Sequence, residues 1–280
     1  MPKQPLTYAL RIRAQRALPL PAAAPCPPTP EPVVPQSIPA TPAAFATQTL
    51  GLDLDPVQTS LLASPAKYVI LNCCRQWGKS TMAATKAAHQ ALTRPGSLTV
   101  VVSPGERQSA ELVALIAKYL RLAGETVKRD GRFDASAVIP NGSRIIGLPA
   151  KEETTRGISS VSLLIVDEAS RMSDALYFSF RPMLARSGGD IWILSTPNGC
   201  KGFFHKTWFS PDEEWTRITA TAEDCPRISK RQLDRDRAEF ADIYFRQEYM
   251  CEFGDPVTGL LRSAKIQALF SGKTCDLSIP

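Results

Sequence analysis

One short stretch of the sequence, CRQWGKST at residues 74–81, ends in an order of residues that binds phosphate groups in many proteins. Gly78 lets the backbone close on a phosphate, Lys79 supplies a positive charge, and Ser80 can bind Mg²⁺ at a helix N-terminus. The usual pattern is G-x-x-x-x-G-K-[S/T], and here Cys73 takes the place of its first glycine. The stretch therefore predicts a phosphate-binding loop (P-loop) with altered chemistry at its start.

Two other groups of polar residues follow apolar runs. In LLIVDEAS, four apolar residues precede Asp167 and Glu168, which predicts one carboxylate directed at a magnesium ion and a second that polarises an attacking water. In ILSTP, the hydroxyls of Ser195 and Thr196, before Pro197, are expected beside the terminal phosphate if their strand lies between the other two. Each motif also has an ordinary structural explanation. LLIVDEAS could be a strand that ends in an acidic turn, and ILSTP could contain a Ser/Thr turn before proline.

Phosphate hydrolysis also needs positive charge near the developing negative charge of the transition state. Arg75 lies inside the P-loop and is expected to act within its own subunit, whereas Arg156, in KEETTRGIS, is expected to reach a neighbouring subunit. The alternative for each is an ordinary surface arginine. The sequence leaves the choice between them open.

These motifs lie between apolar runs and amphipathic stretches that alternate along the chain. The predicted strands are apolar runs at residues 67–73, 97–104, 161–168, 190–197 and, at an edge, 215–221. The predicted helices lie at 79–92, at 106–124, between the apolar runs at 161–168 and 190–197, and, as one or two helices, within 229–250. Asn141-Gly142 predicts a hairpin within 138–149. This order indicates an α/β fold with a mainly parallel sheet flanked by helices, in which ligands bind at the carboxyl ends of strands.

The composition of the chain limits the classes of protein to which it could belong. The 280-residue chain is 44% apolar, which is enough for a packed core, and its formal net charge of +6 gives weak support for a polyanionic partner. Seven cysteines without a Cys-x-x-Cys pair and only two histidines predict neither a zinc site nor a disulfide framework. No apolar run is long enough to span a bilayer, so we expect no membrane partner.

The N-terminal part of the chain is rich in proline. Twelve of the 24 prolines fall within the first 42 residues, a segment without glycine that cannot bury enough apolar surface to offset its ordering entropy. We predict a disordered Pro/Ala-rich tail at residues 1–47, a P-loop ATPase domain at 48–253 and a C-terminal stub or linker at 254–280. The tail is either a tether for a partner or an idle leader.

The motifs in their order resemble one family, the large terminase subunits that package DNA into the heads of tailed bacteriophages. The matching stretches are DPVQ, CRQWGKST, TTRGIS, LLIVDEAS, ILSTPNG and FRQEYMCEF, within about residues 50–253. P-loops of this family commonly read R-Q-x-G-K-[S/T] without the first glycine, so Cys73 agrees with the pattern. The resemblance implies a P-loop NTPase fold of the ASCE, RecA-like type and a magnesium-dependent ATPase that drives double-stranded DNA into a procapsid.

The resemblance also implies roles for single residues. Glu168 matches the catalytic carboxylate, Ser80 and Asp167 match the magnesium residues, and Arg75 and Arg156 match the two arginines. Coupling of hydrolysis to movement is implied for Ser195, Thr196 and Pro197. The residues implied to contact ATP, which include an adenine-contacting glutamine before the first strand, are Gln58, Arg75, Gln76, Trp77, Gly78, Lys79, Ser80 and Thr81.

The family implies partners and a location. We expect double-stranded DNA, the portal protein of the procapsid, a small terminase subunit and a ring of identical subunits, in the host cytoplasm and transiently at the portal vertex. Large terminases normally continue into a nuclease domain, and only 27 residues follow Phe253, so we expect no nuclease activity from this chain.

Two other functions compete with this reading. A DExx-box helicase-like ATPase shares the DEAS and STP elements but needs a second RecA-like domain. A non-hydrolysing assembly subunit would bind nucleotide or a portal protein without turnover, and the intact Lys79, Asp167 and Glu168 argue against it.

Overall fold

The computed structural model describes residues 37–151 and 157–254, and within these ranges seven strands form one sheet. The strands are β1 (Tyr68–Cys73), β2 (Leu98–Ser103), β3 (Ser136–Val138), β4 (Arg144–Pro149), β5 (Leu163–Asp167), β6 (Asp190–Ser195) and β7 (Trp215–Ala220). The α-helices in the same ranges are α1 (Pro42–Ala44), α2 (Pro56–Ala63), α3 (Lys79–Thr93), α4 (Glu106–Leu122), α5 (Asp174–Phe180), α6 (Gly202–Trp208), α7 (Lys230–Glu239) and α8 (Asp242–Glu248).

The predicted α/β fold is confirmed. The apolar runs form strands, the hairpin around Asn141-Gly142 joins β3 to β4, and β7 lies at an edge of the sheet. The amphipathic stretch at 229–250 forms two helices, α7 and α8. Ala241 separates them with an extended backbone (φ −61°, ψ 138°) that no α-helix can continue through.

The folded part begins earlier than the predicted boundary at residue 48. Helix α1 starts at Pro42 and continues into a π-helical turn, Phe45–Thr49. The side chain of Phe45 is fully buried and its ring contacts His89 of α3. The first 36 residues of the predicted tail and residues 255–280 of the predicted stub lie outside the described residues.

The strand order is β3-β4-β2-β5-β6-β1-β7, and every neighbouring pair is parallel except β3 with β4. Strand β6 therefore lies between β1 and β5, as required for the hydroxyls of Ser195 and Thr196 to reach the phosphate site. The register places Asn72 of β1 opposite Ser195, and Asp167 of β5 opposite Leu194. Three motif-bearing strand ends thus meet at one edge of the sheet.

Buried side chains cover both faces of the sheet. Successive residues of a strand point to opposite faces, so Val69 and Leu71 pack with the core formed by α3 and α4, whereas Ile70 packs with the aromatic residues of α5 and α6. Each fully buried side chain of this size contributes about 1.5–3 kcal/mol. The result is a rigid sheet whose carboxyl end positions the motifs. In the described part of the chain, no helix has both the length and the apolar character needed to cross a bilayer.

Candidate active site

The P-loop connects β1 to α3 and surrounds the N-terminus of that helix. Gly78 takes φ +104°, and a Cβ atom there would lie 3.0 Å from Nε2 of Gln58, so both the backbone angle and the space favour glycine. No side chain caps α3. Its first backbone N–H groups have no partner within the helix and form a binding site for an anion.

A cavity of about 460 Å³ opens at this helix N-terminus. It is lined by Arg75, Gln76, Gly78, Lys79, Ser80, Thr81, Gln108, Glu168 and Arg171. All the predicted ATP-contacting residues of the P-loop line it except Trp77, which is fully buried. Three cationic side chains and one carboxylate in this lining favour a polyanionic ligand.

Lys79 is the buried cation of the site. Its ammonium donates hydrogen bonds to the carbonyl oxygens of Cys73 and Cys74, both at 3.0 Å, and to Oγ1 of Thr196 at 3.1 Å. These contacts use all three N–H groups of the ammonium. A phosphate that binds Lys79 must replace at least one of them or share its N–H. The predicted coupling residue Thr196 is therefore in direct contact with the P-loop lysine.

Cys73, which stands where most P-loops have glycine, belongs to the buried core. Burial raises the pKa of its thiol far above the ordinary value, against the lowering effect of Lys79, so the thiol is neutral. Its contribution to the site is the carbonyl oxygen that accepts from Lys79 and from the hydroxyl of Thr196. The side chain at this position is buried and does not line the cavity.

The two acidic residues differ in environment. Asp167 is buried at the end of β5, and desolvation, followed by the charge of Glu168, raises its pKa from 3.8 to about 6, although Lys79 opposes this. Glu168 lines the cavity, and its Oε2 lies 3.6 Å from Nε of Arg171. Its backbone is left-handed (φ 51°, ψ 40°), a conformation that costs a non-glycine residue free energy and is concentrated at functional sites.

Ser195 and Thr196 link the acidic turn to the P-loop. Oγ of Ser195 accepts from the backbone N–H of Ser170 at 3.1 Å, and Oγ of Ser170 donates to the carbonyl of Thr196 at 2.8 Å. Because Thr196 also contacts Lys79, one chain of hydrogen bonds joins DEAS, STP and the P-loop. Pro197 follows this network and does not line the cavity.

The predicted arginines have different outcomes. Arg75 lines the cavity with its side chain 65% exposed, and its Nε donates to Oε2 of Glu248 in α8 at 2.6 Å. This ion pair raises the pKa of Arg75 above its ordinary value. Arg156 lies outside the described residues, so its role between subunits stays a prediction.

Gln58 does not line the cavity. Its Nε2 donates to the carbonyl of Trp77 at 2.8 Å, and its Oε1 accepts from the backbone N–H of Asp55 at 3.3 Å. Both ends of the amide therefore have protein partners behind the P-loop. The predicted contact with adenine remains a prediction that this arrangement does not favour.

Four residues at the site were not predicted from the sequence. Gln108 in α4 and Arg171 line the cavity, Glu248 pairs with Arg75, and Arg227 contacts the carbonyl of Trp77. Glu248 lies within FRQEYMCEF, which carried the family resemblance, but no local pattern linked it to the P-loop. Gln108, Arg171 and Arg227 carry no local signal.

The strand order, the P-loop at the start of α3 and the acidic pair on a neighbouring strand define a P-loop NTPase. The sequence model of one family, the N-terminal region of terminase large subunits of the T4-like-virus type, matches residues 70–275. The chain belongs to this family of terminase large subunits, whose N-terminal region is the ATPase of the phage DNA-packaging motor. The resemblance found in the motifs is confirmed.

Solved structures agree in fold. The large terminase ATPase domain of Thermus phage P74-26 is 23% identical with a TM-score of 0.67, over 76% of this chain and 99% of that domain. The large terminase of a thermophilic bacteriophage in complex with ADP is 16% identical with a TM-score of 0.62, over 72% and 54% of the two chains. The large terminase of bacteriophage HK97 is 20% identical with a TM-score of 0.55, over 78% and 46%. The match thus spans about half of the two longer proteins. No curated protein matches this chain.

Proposed function

We propose that the chain hydrolyses ATP with magnesium in the cavity at the N-terminus of α3, and that hydrolysis drives translocation of double-stranded DNA. The observation that carries the proposal is the meeting of three neighbouring strand ends, which brings Lys79, Thr196 and Asp167 together. Complexes of a related large terminase with ADP and with ATP-γ-S support nucleotide binding at such a site.

The residues present fit a magnesium ion. Burial and the charge of Glu168 raise the pKa of Asp167, and a further cation beside this carboxylate would stabilise its charged form. Among the described residues, no group of three or more His, Cys, Asp or Glu side chains is placed to hold a metal ion alone. Magnesium in phosphoryl-transfer sites is bound by few protein oxygens and by the substrate phosphates. Ser80 and Asp167 would hold it, and it would neutralise charge on the phosphates.

The remaining roles follow from position. Lys79 binds the terminal phosphates together with the N–H groups of α3, and Glu168 orients the attacking water from the cavity wall. Arg75 supplies positive charge from the same subunit, and Arg156 supplies it from a neighbour in the assembled ring. The two arginines are alternatives, and the proposal needs only one of them.

Coupling runs through Ser195 and Thr196. Their hydrogen bonds join the acidic turn to Lys79, so loss of the terminal phosphate changes the partners of Lys79 and thereby those of Thr196. Pro197 lies two residues after the end of β6, and its ring fixes its own φ and restricts the backbone of Thr196. We propose the segment that follows Pro197 as the first element to move after hydrolysis.

The partners are those of the family. We propose that identical subunits assemble as a ring on the portal protein of the procapsid, in the host cytoplasm, and receive DNA with a small terminase subunit. A motor of this kind holds the phosphate backbone, so its affinity for DNA should fall steeply with salt. Of the competing functions, nothing in the family match favours the helicase or the idle subunit.

The central test is Glu168→Gln, which keeps size and polarity but removes the basic carboxylate. We expect the variant to bind ATP as the wild type does and to lose at least about 99% of turnover, since a positioned base contributes roughly 10² to 10⁴ in rate. ATP turnover is measured with and without DNA and procapsids. Glu239→Gln, an exposed glutamate of α7 paired with Arg235, is the matched control. Retained turnover would remove Glu168 from this role, and absence of wild-type turnover with DNA and procapsids would support the idle subunit.

A further inference from the structure

The outer side of the P-loop is held at one carbonyl group. The carbonyl oxygen of Trp77 accepts a hydrogen bond from Nε2 of Gln58 at 2.8 Å and another from Nη2 of Arg227 at 2.7 Å. Gln58 belongs to α2, and Arg227 lies between β7 and α7, so the two donors come from distant parts of the chain. Both meet at the residue that precedes Gly78.

Asp55 joins these two donors. Its Oδ1 accepts from the backbone N–H of Gln58 at 2.8 Å, and its Oδ2 accepts from Nη2 of Arg227 at 2.9 Å. The Asp55 side chain is 2% exposed, whereas that of Arg227 is 40% exposed. A carboxylate this deeply buried needs a charged or hydrogen-bonded partner. Arg227 supplies this partner and binds the P-loop with the same nitrogen.

The contact has a direct consequence for phosphate binding. A P-loop binds phosphate through backbone N–H groups that point inward, so the carbonyl groups of the same peptides must point outward. Two donors on the carbonyl of Trp77, one of them charged, hold the peptide between Trp77 and Gly78 in that orientation. Hydrogen bonds with a charged partner are about twice as strong as neutral ones.

We propose that Asp55, Gln58 and Arg227 form an outer clamp that positions the P-loop for phosphate, and that Gln58 acts on this loop and not on the base of the nucleotide. Arg227 and Gln58 are positioning residues, because they act through the carbonyl of Trp77. The inference rests on the proposed function only in that the cavity binds a nucleoside triphosphate. It adds an arginine that no motif identifies and changes the role of Gln58.

The clamp and a base contact have different signatures. A residue that orients the P-loop affects every nucleoside triphosphate equally, because the phosphates are shared by all of them. A residue that binds adenine affects ATP but not GTP. The ratio of the dissociation constants for ATP and GTP therefore separates the two roles of Gln58.

The test is equilibrium binding of fluorescent ATP and GTP analogues to the full chain, which does not require turnover. Arg227→Ala should weaken binding of both analogues by about tenfold, the effect of losing one charged hydrogen bond. Arg227→Lys should recover part of this loss, because an ammonium reaches one of the two acceptors. Gln58→Ala should weaken the binding of both analogues by the same factor, so that the ratio of their dissociation constants is unchanged. Arg235→Ala, an exposed α7 arginine paired with Glu239, is the matched control and should bind as the wild type does.

Three results would overturn the clamp. The first is a Gln58→Ala variant that loses ATP binding and keeps GTP binding, because that is the signature of a base contact. The second is unchanged nucleotide binding in Arg227→Ala well below its melting temperature, which would make the ion pair a purely structural contact. If Arg227→Ala does not fold, the proposal is tested with Arg227→Lys and Gln58→Ala. The third result that would overturn it is unchanged nucleotide binding in both of these variants. A wild-type protein that binds nucleotide without hydrolysis would refute the proposed function and leave the clamp standing.

Discussion

Asp167 allows a quantitative prediction because its carboxylate is buried beside a second acid. Desolvation and the charge of Glu168 raise its pKa from 3.8 to about 6, against the opposing effect of Lys79. The folded protein therefore binds the proton of this group more tightly than the unfolded chain does. Asp167→Asn keeps the size of the side chain and an oxygen that accepts from the backbone N–H of Glu168, a contact of 3.1 Å in the wild type. It removes the charge.

The sign and the magnitude follow from this difference in pKa. Below about pH 3.8 the carboxyl is protonated in both states, so its ionisation costs the folded state nothing. Between 3.8 and 6 the cost grows, and above 6 it is complete. One pKa unit corresponds to about 1.4 kcal/mol, so the full cost is about 3 kcal/mol at neutral pH and roughly half of that at pH 5. Asp167→Asn should recover up to this amount.

The assay is thermal unfolding of wild type and variant between pH 5 and pH 7.5, without nucleotide or magnesium. We expect the variant to melt up to about 10 °C higher at pH 7.5, with a smaller difference at pH 5, since 1 kcal/mol shifts the melting temperature of a domain of this size by about 2–4 °C. Asp190→Asn is the contrasting control, because Asp190 is also buried but is paired with Lys86 at 3.1 Å, so loss of its charge should destabilise the protein. An Asp167→Asn variant that melts lower than wild type at pH 7.5, or a difference that does not change with pH, would refute the reasoning.

Two further substitutions test one contact at the site and one at the opposite end of the sheet. Glu248→Gln removes the charge that competes for Arg75, so the Michaelis constant for ATP should fall by up to about fivefold, with little change in melting temperature. The effect is limited because an exposed ion pair contributes at most about 1 kcal/mol. A raised Michaelis constant in steady-state kinetics would contradict this. Gly189→Ala should lower the free energy of unfolding by about 3 kcal/mol in urea denaturation, because its Cβ would lie 2.2 Å from the carbonyl oxygen of Val161. The neighbouring Gly188→Ala, with open space but φ +58°, should cost only about 1 kcal/mol, and equal losses in the two variants would show that the close contact is not the cause.

The secondary-structure elements and the kind of chemistry could be predicted from the sequence alone, because both depend on residues close together in the chain. Apolar runs before CRQWGKST, DEAS and STP predicted strands that end at chemically active residues, and the structure confirms strands at these places. The same local signals predicted the hairpin at Asn141-Gly142 and the helix that starts at Lys79. The prediction of a P-loop holds although Cys73 replaces the first glycine, because the contact from that position to Lys79 is made by the backbone carbonyl.

Which distant residues contact these motifs depends on the packing of the whole chain and is visible only in the folded structure. The order of β5, β6 and β1 depends on how the helices cover the two faces of the sheet. This order brings Thr196 within hydrogen-bond distance of Lys79, which is 117 residues away in the chain. Arg75 and Glu248 are 173 residues apart. No periodicity or turn signal reaches over such separations, because those signals arise from the geometry of a few consecutive residues.

The role of Gln58 shows the same limit. Its position before β1 suggested a contact with adenine, but the direction of its amide depends on Asp55, with which it forms a capping box at the start of α2, and on the carbonyl of Trp77. Arg227 reaches the same carbonyl from 150 residues further along the chain. A side chain's chemistry can be read from its type, but its target is decided by the packing that brings a partner within hydrogen-bond distance.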